Sequence, residues 1–253
     1  MDFKNAQILI TGGSDGIGRG LATRFLSKGN RVLITGRDKH RLDDARRTLP
    51  GVETFVSDVG SKNGRETLAQ HIADVMPGIN VLVNNAGIQR RIALADDHAD
   101  WEEREQEIRI LLSGPIHLNH LLIPLLLKHK EESLIVNVTS GGAYIPQTFA
   151  PVYSACKAAL QSYTVTLRDA LSNTKCKVIE LIPPAVQTSL AGPGLNHGAP
   201  LNEFCDAVFN NLQKGMSDEI GYGPTSNLTL ELSGVPVSIL FQRSNSRYPT
   251  SKY

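Results

Sequence analysis

Three residues in the middle of the chain, Ser140, Tyr153 and Lys157, have the types and spacing of an acid–base group. Tyr153 and Lys157 are four residues apart, which places both side chains on one face of a helix. A free tyrosine has a pKa of about 10, and a nearby cation lowers it by favouring the phenolate. This pattern predicts carbonyl chemistry: Tyr153 donates the proton, Ser140 hydrogen-bonds the same oxygen, and Lys157 tunes the tyrosine.

The spacing of Tyr153 and Lys157 gains its meaning from the residues before it. Tyr248 and Lys252, in the tail, repeat the same spacing. Ser140, however, follows an apolar run that reads as a buried strand, and sites of α/β proteins form at the carboxyl ends of strands. Nothing comparable precedes Tyr248, so we interpret the tail copy as chance.

A glycine-rich turn near the start of the chain predicts a phosphate site. Gly12, Gly16 and Gly18 lie between a predicted strand and a predicted helix. Gly12 allows a sharp turn, Gly16 lets the backbone approach a pyrophosphate, and the helix start offers N–H groups to it. A purely structural turn is the alternative. The residues of this turn expected to contact a cofactor are Gly12, Ser14, Asp15, Gly16, Ile17 and Gly18.

The end of the second predicted strand indicates which cofactor. NAD sites place an acidic residue there, whereas this chain has Gly36 followed by Arg37. A guanidinium suits the extra 2′-phosphate of NADP(H), and Ser14 adds a hydroxyl. Asp38 is expected to face solvent or to begin the next helix. The alternative for Arg37 is a solvated surface charge. Tyr153 and Lys157 are expected to border the nicotinamide end.

The elements that must position these residues alternate between short apolar runs and longer amphipathic ones. The expected strands are Gln7–Ile10, Arg31–Thr35, Val52–Ser57, Asn80–Val83, Leu134–Val138, Val178–Ile182 and one near Glu219–Tyr222. The expected helices are Ile17–Ser27, Lys39–Leu49, Lys62–Val75, Trp101–Lys130, Val152–Asn173 and Leu201–Lys214. Strands that do not alternate in polarity predict an α/β fold: one doubly wound (Rossmann) parallel sheet of about seven strands, with helices on both faces. The pattern predicts a single domain, residues 1–253, in which the Gly/Pro-rich stretch 188–200 is a substrate lid or a surface loop.

Composition excludes several function classes. The 253 residues carry a formal charge of +1, which argues against nucleic acid as a partner, and 41% are hydrophobic. The longest apolar stretch has seven residues, so we expect neither a membrane span nor a signal peptide. Three cysteines favour a reducing, cytoplasmic location. His117 and His120 lack further ligands, so no metal site is predicted.

Taken together, these motifs resemble the short-chain dehydrogenase/reductase superfamily from about Ile8 to Gly223. Asn84–Gly87 is one of the family motifs. Within the superfamily, four stretches resemble one branch, named after an oxidoreductase of the lipoteichoic-acid D-alanylation operon: Gly114–Leu118, Pro151–Ala155, Leu181–Val186 and Glu219–Gly223. That name does not define a substrate. The resemblance implies a homodimer or homotetramer acting on a small carbonyl or alcohol. It implies that Asp58 with Val59 contacts adenine, that Asn85, Ala86 and Gly87 border the cofactor, and that Val186 and Thr188 meet the nicotinamide.

One departure from the family pattern concerns Leu111. The family usually has an asparagine there, which holds a water that extends a proton relay from the lysine. A leucine side chain cannot hydrogen-bond water. We therefore expect reduced but real turnover. Two alternatives remain: a nucleotide-binding pseudoenzyme or redox sensor, and an epimerase or dehydratase of the same fold.

Overall fold

A seven-stranded parallel sheet forms the centre of the computed structural model, which describes residues 3–129, 131–192, 197–215, 217–247 and 249–252. The strands lie in the order β3-β2-β1-β4-β5-β6-β7. Chain order reverses between β1 and β4, and the carboxyl ends at such a switch point form a crevice. The strands are β1 Gln7–Thr11, β2 Arg31–Gly36, β3 Glu53–Val56, β4 Val81–Asn84, β5 Ser133–Val138, β6 Cys176–Ile182 and β7 Glu219–Gly221.

Helices cover both faces of the sheet, which confirms the fold class expected from the sequence. One apolar core packs α1 and α7 on one face, where Phe3, Phe25 and Phe209 stack edge to face or tilted. The second core packs α3, α5 and α6 on the other face. The helices are α1 Gly16–Ser27, α2 Lys39–Thr48, α3 Lys62–Val75, α4 Trp101–Ile108, α5 Gly114–Leu126, α6 Pro151–Ala170, α7 Leu201–Lys214, α8 Leu228–Glu231 and α9 Val237–Arg247.

The prediction of a single helix over 101–130 is wrong in one respect, because a π-helical turn at Arg109–Ser113 separates α4 from α5. Pro115 has no N–H to donate to the carbonyl of Leu111, so the regular helical hydrogen bond cannot form there. Among the described residues, the run Trp101–Leu126 meets the length and hydropathy of a membrane span by composition alone. Its Leu118 and Leu122 are buried against the sheet.

The elements expected from the sequence end near Tyr222, whereas the structure has two further helices after it, α8 and α9. Leu240 is buried and anchors α9, whereas Val237 and Leu230 are exposed. One buried leucine in a polar stretch is too weak a pattern to predict a helix. In the proposed lid, Ser189–Ala191 form a 3-10 turn, and residues 193–196 lie outside the described residues.

Candidate active site

The phosphate turn connects β1 to α1 through two glycines with left-handed backbone. Gly12 has φ +63° and Gly16 has φ +51°, conformations that other residues rarely adopt. A Cβ on Gly18 would lie 2.5 Å from the Gly12 carbonyl oxygen, so only glycine lets the helix pack this close to the strand end. Asp15 caps α1 by accepting a hydrogen bond from Gly16 N at 2.7 Å. The helix start therefore faces the crevice, with Ser14 and Ile17 beside it.

Thr11 and Asn85 fasten this turn to the loop after β4. The Thr11 hydroxyl accepts hydrogen bonds from the backbone N–H groups of Asn85 and Ala86, both at 3.0 Å. The Asn85 amide donates to the carbonyls of Thr11 and Gly12, at 3.0 and 3.2 Å. The 85–87 segment thus holds the glycine turn in place, a contact between residues more than 70 positions apart.

Arg37 follows β2 at the same edge of the sheet, with its side chain exposed. The Ser14 hydroxyl lies 3.2 Å from where a Cβ on Gly36 would stand, so Ser14 and the start of the Arg37 loop are neighbours. Asp38 begins α2, since its carboxylate accepts from His40 N and Arg41 N at 2.9 and 3.2 Å. This confirms the expected role of Asp38, and its charge is directed to the helix start.

The Asp58–Val59 loop follows β3 and is held in place by hydrogen bonds from Gly60 and Arg65. Asp58 Oδ1 accepts from Gly60 N at 2.8 Å, and the Val59 carbonyl accepts from the buried Arg65 guanidinium at 2.5 Å. Arg65 Nε donates to His117 Nδ1 at 3.0 Å. His117 is therefore part of a support for this loop. Within the described part of the chain, no group of three metal-ligating side chains occurs.

Val186 and Thr188 bring the start of the 188–200 stretch to the phosphate turn. Val186 is buried and forms a bridge with Ala199. Thr188 Cγ2 lies 3.3 Å from where a Cβ on Gly16 would stand. The Ser189 hydroxyl donates to Asp15 Oδ2 at 2.5 Å, which ties this stretch to the cap of α1.

Ser140, Tyr153 and Lys157 meet at the end of β5. Tyr153 and Lys157 lie on α6, and the hydroxyl of Tyr153 is hydrogen-bonded to that of Ser140. Ser140 Oγ also accepts from Gly142 N at 3.0 Å. Lys157 Nζ donates to the Val138 carbonyl at 2.6 Å and lies 5.6 Å from the centroid of the Tyr153 ring. All three side chains are at least nine-tenths buried. Tyr248, of the tail copy, lies outside the described residues.

The pKa values of Tyr153 and Lys157 shift in opposite directions. Burial raises the pKa of Tyr153 to about 12, although the Ser140 hydroxyl opposes this and Glu107 adds to it. Burial lowers the pKa of Lys157 to about 8. The sequence predicted a lowered tyrosine pKa. In the structure, loss of hydration dominates instead, so Tyr153 is a protonated acid at neutral pH.

Leu111 lies in the π-helical turn and is buried next to this group. Its Cδ2 is 3.2 Å from where a Cβ on Gly87 would stand. Together with Asn84 and Lys157 it lines a cavity of about 10 Å³. Asn84 Oδ1 is buried without a hydrogen-bond partner among the described residues. The lining of the cavity therefore includes two polar residues as well as Leu111.

Three further residues at this edge of the sheet hold the site together and were not expected from the sequence: Thr11, Ser189 and Glu180. Thr11 stood inside the glycine motif, but nothing local showed that its hydroxyl would accept two N–H groups. Ser189 meets Asp15 across 174 positions. Glu180, buried in β6, bonds to Thr139 and Tyr144 on either side of Ser140. A charged residue in an otherwise apolar strand was the one available signal for Glu180.

A parallel sheet with a glycine turn at its switch point defines a nucleotide-binding fold of the Rossmann class. The family model described as short chain dehydrogenase matches residues 6–196. The chain therefore belongs to the short-chain dehydrogenase family and is an oxidoreductase. Within the family it belongs to the DltE-like branch. It is 44% identical over 224 residues to "Uncharacterized oxidoreductase DltE" of Bacillus subtilis, covering 86% of this chain and 88% of that protein.

Two further similarities bear on chemistry. Sulfoacetaldehyde reductase 2 of Chromohalobacter salexigens is 31% identical, covering 72% of this chain and 73% of the relative. A short-chain dehydrogenase of Burkholderia cenocepacia, solved in complex with NADP, superposes with a TM-score of 0.83 at 25% identity. That superposition covers 99% of this chain and all of the solved one.

Proposed function

We propose that this chain is an NADP(H)-dependent reductase of a small carbonyl compound, able to run the reverse oxidation of a secondary alcohol. The observation that carries the proposal is the buried, hydrogen-bonded pair Ser140–Tyr153 with the Lys157 ammonium beside it. Tyr153 is protonated at neutral pH and so holds the proton that a carbonyl oxygen takes up on reduction. The sulfoacetaldehyde reductase relative has, by its name, an aldehyde substrate.

The residues at the crevice fit NADP(H). The left-handed glycines and the start of α1 leave room and N–H groups for a pyrophosphate. Arg37 and Ser14 would hold the 2′-phosphate, Asp58 with Val59 the adenine, and Asn85–Gly87, Val186 and Thr188 the remaining length. NADPH, when bound, supplies the hydride. Ser140 would orient the carbonyl oxygen and stabilise its developing charge, while Lys157 would hold the ribose and the tyrosine.

The test is oxidation of NADPH, and separately of NADH, with a panel of aldehydes, ketones and diketones. We expect NADPH oxidation that falls by at least about 1,000-fold in Tyr153→Phe, since the proton donor is lost. Tyr163→Phe, the same change on the same helix, is the control and should keep its turnover. Turnover that survives in Tyr153→Phe would overturn the role of Tyr153. NADPH binding without turnover in the unmodified protein would favour the pseudoenzyme alternative.

We also propose a cytoplasmic homodimer or homotetramer, built through the helical run of α4 and α5 and through α6. Trp101 on α4 is 64% exposed and Val165 on α6 is 43% exposed, so both helices carry apolar side chains that a partner subunit could cover. The three cysteines are all buried and free, as suits a reducing compartment. Light scattering at micromolar concentration tests the assembly, and a monomeric mass would remove it.

A further inference from the structure

Glu180 is a fully buried carboxyl group to which the proposed reaction assigns no task. It lies in β6, paired in register with Asn137 of β5 and Glu219 of β7, and its exposed fraction is 0%. Burial raises its pKa, and the neighbouring Glu219 adds to this, whereas Arg168 opposes it. An unpaired carboxyl group in such a place is costly, so its hydrogen bonds indicate what it is for.

Both oxygens of Glu180 accept hydrogen bonds from the segment that carries Ser140. Thr139 Oγ1 donates to Oε1 at 2.6 Å, and the Tyr144 hydroxyl donates to Oε2 at 2.9 Å. Thr139 comes directly before Ser140, and Tyr144 follows the 3-10 turn Gly141–Ala143. Glu180 therefore holds both ends of the segment Thr139–Tyr144, the serine turn. Each carboxyl oxygen of Glu180 thus has one hydrogen-bond partner on this segment.

The backbone secures one end of this turn but not the other. Thr139 N donates to the Leu181 carbonyl at 2.8 Å, and Gly141 N donates to the Pro183 carbonyl at 3.1 Å, so the first end is already fixed to β6. Tyr144 N bonds only within the turn, to Gly141. Among the described residues, the side-chain partners of the Tyr144 hydroxyl are Glu180 and Gln161. The Tyr144 end thus depends on side chains.

We propose that Glu180 is a positioning residue, which fixes the serine turn through Tyr144 and so holds the Ser140 hydroxyl in place. This inference rests on the proposed reductase function. Glu180 touches neither substrate nor cofactor and acts through Tyr144. The Ser140 hydroxyl is set by the turn, because it accepts from Gly142 N, two residues further along the same backbone.

The kinetic test uses Glu180→Gln, Tyr144→Phe and the double variant, with NADPH and the panel compound that the wild type reduces fastest. Each single variant should lower kcat/KM by about tenfold, since a displaced reacting group costs about that much or more. The double variant should lose no more than either single one, because both remove the same contact. The Kd of NADPH should stay within twofold. Glu219→Gln is the matched control and should match the wild type, since Glu219 lies on the neighbouring strand β7 and its carboxylate accepts from Thr229 of α8, not from the serine turn.

Hydrogen–deuterium exchange gives a second reading that needs no turnover. In Glu180→Gln, amides of residues 141–150 should exchange at least about threefold faster, with β6 and β7 unchanged. Unchanged exchange in this segment, losses that multiply in the double variant, or a general rise in exchange would each overturn the inference. If the wild type oxidises no NADPH with any compound of the panel, the reductase proposal fails, and the exchange measurement alone then tests Glu180. If only Tyr153→Phe behaves as expected and Glu180→Gln matches the wild type, only the role of Glu180 fails.

Discussion

The two sides of the sheet's carboxyl edge are built in different ways. On the side of β1 and β2, the proposed cofactor side, the backbone forms the site: left-handed glycines, the start of α1 and the loop that ends at Asp38, the cap of α2. On the side of β5 and β6, the proposed catalytic side, buried side chains form the site. Lys157, Glu180 and Tyr153 are all nine-tenths buried or more. A phosphate needs N–H groups that any residue can supply, whereas proton transfer needs particular side chains with shifted pKa values.

This difference has an energetic side. Backbone groups in the phosphate turn and its neighbouring loop are satisfied by contacts such as those of Asn85 and Thr11. The catalytic side instead buries groups that water would solvate better, and the opposite pKa shifts of Tyr153 and Lys157 record that cost. We therefore expect substitutions of buried residues on the catalytic side to trade activity against stability, and substitutions of exposed residues on the cofactor side, such as Arg37, to change affinity alone.

The largest expected effect comes from Lys157→Met. Turnover should fall by at least about 1,000-fold, because the tyrosine loses its cation. Stability should rise at pH 7. The pKa of Lys157 drops from 10.5 to about 8 on folding, so below about 8 its buried charge opposes folding by roughly 3 kcal/mol. The lost hydrogen bond to the Val138 carbonyl offsets part of that, which leaves a gain of about 1–2 kcal/mol.

Urea unfolding across pH 6.5–10.5 measures this trade. Between about pH 8 and 10.5 the unfolded wild type binds more protons than the folded one, so wild-type stability rises with pH and the advantage of Lys157→Met shrinks. Lys128→Met, at the exposed end of α5, is the control and should change neither activity nor stability. An equal loss of stability at every pH would show that the two sides do not differ in this way.

A smaller effect is expected on the cofactor side, from Arg37→Gln. Removing one charge-assisted contact to the 2′-phosphate should raise the Kd of NADPH by about 10- to 100-fold and leave that of NADH nearly unchanged. Stability should not change, since Arg37 is exposed. Fluorescence titration with each nucleotide measures both constants. Arg47→Gln, further along α2, is the matched control. Equal weakening for both nucleotides would contradict the proposed NADP(H) preference.

The same contrast decides what the sequence could predict. The strands, the fold class and the order of motifs followed from local patterns: apolar runs, glycines at a turn, and Asp38 one residue before a helix. The π-helical turn at Arg109–Ser113 did not, although Pro115 was its visible cause. A proline near a helix start normally fits without distortion. Pro115 disturbs the hydrogen bonds because the helical run continues on its N-terminal side into α4, and the residues around the proline do not show this.

Contacts between distant segments were beyond local patterns. Ser189 with Asp15, and Glu180 with Tyr144, depend on which strand ends lie side by side. The prediction that the pKa of Tyr153 is lowered was wrong for a related reason. The sequence showed the nearby lysine but not the depth of burial, and burial proved the larger cause. Residue types predict which groups can react, whereas the surrounding packing decides their protonation.

The smallest expected effect concerns Leu111, at the border between the two sides. Its side chain, Asn84 and Lys157 line a cavity of about 10 Å³, close to the least volume that holds one water. Leu111→Asn adds a polar group to that lining and should raise kcat for NADPH oxidation by about two- to tenfold. It should also lower stability by about 1–3 kcal/mol, because a buried amide replaces an apolar side chain.

Leu111→Met separates the effect of the added polar group from the effect of replacing the leucine, because it keeps the site apolar at similar volume. It should leave kcat unchanged. A solvent isotope effect on kcat that becomes smaller in Leu111→Asn would place the gain in proton transfer. If Leu111→Asn brings no gain while it loses stability as expected, then the missing amide does not limit turnover.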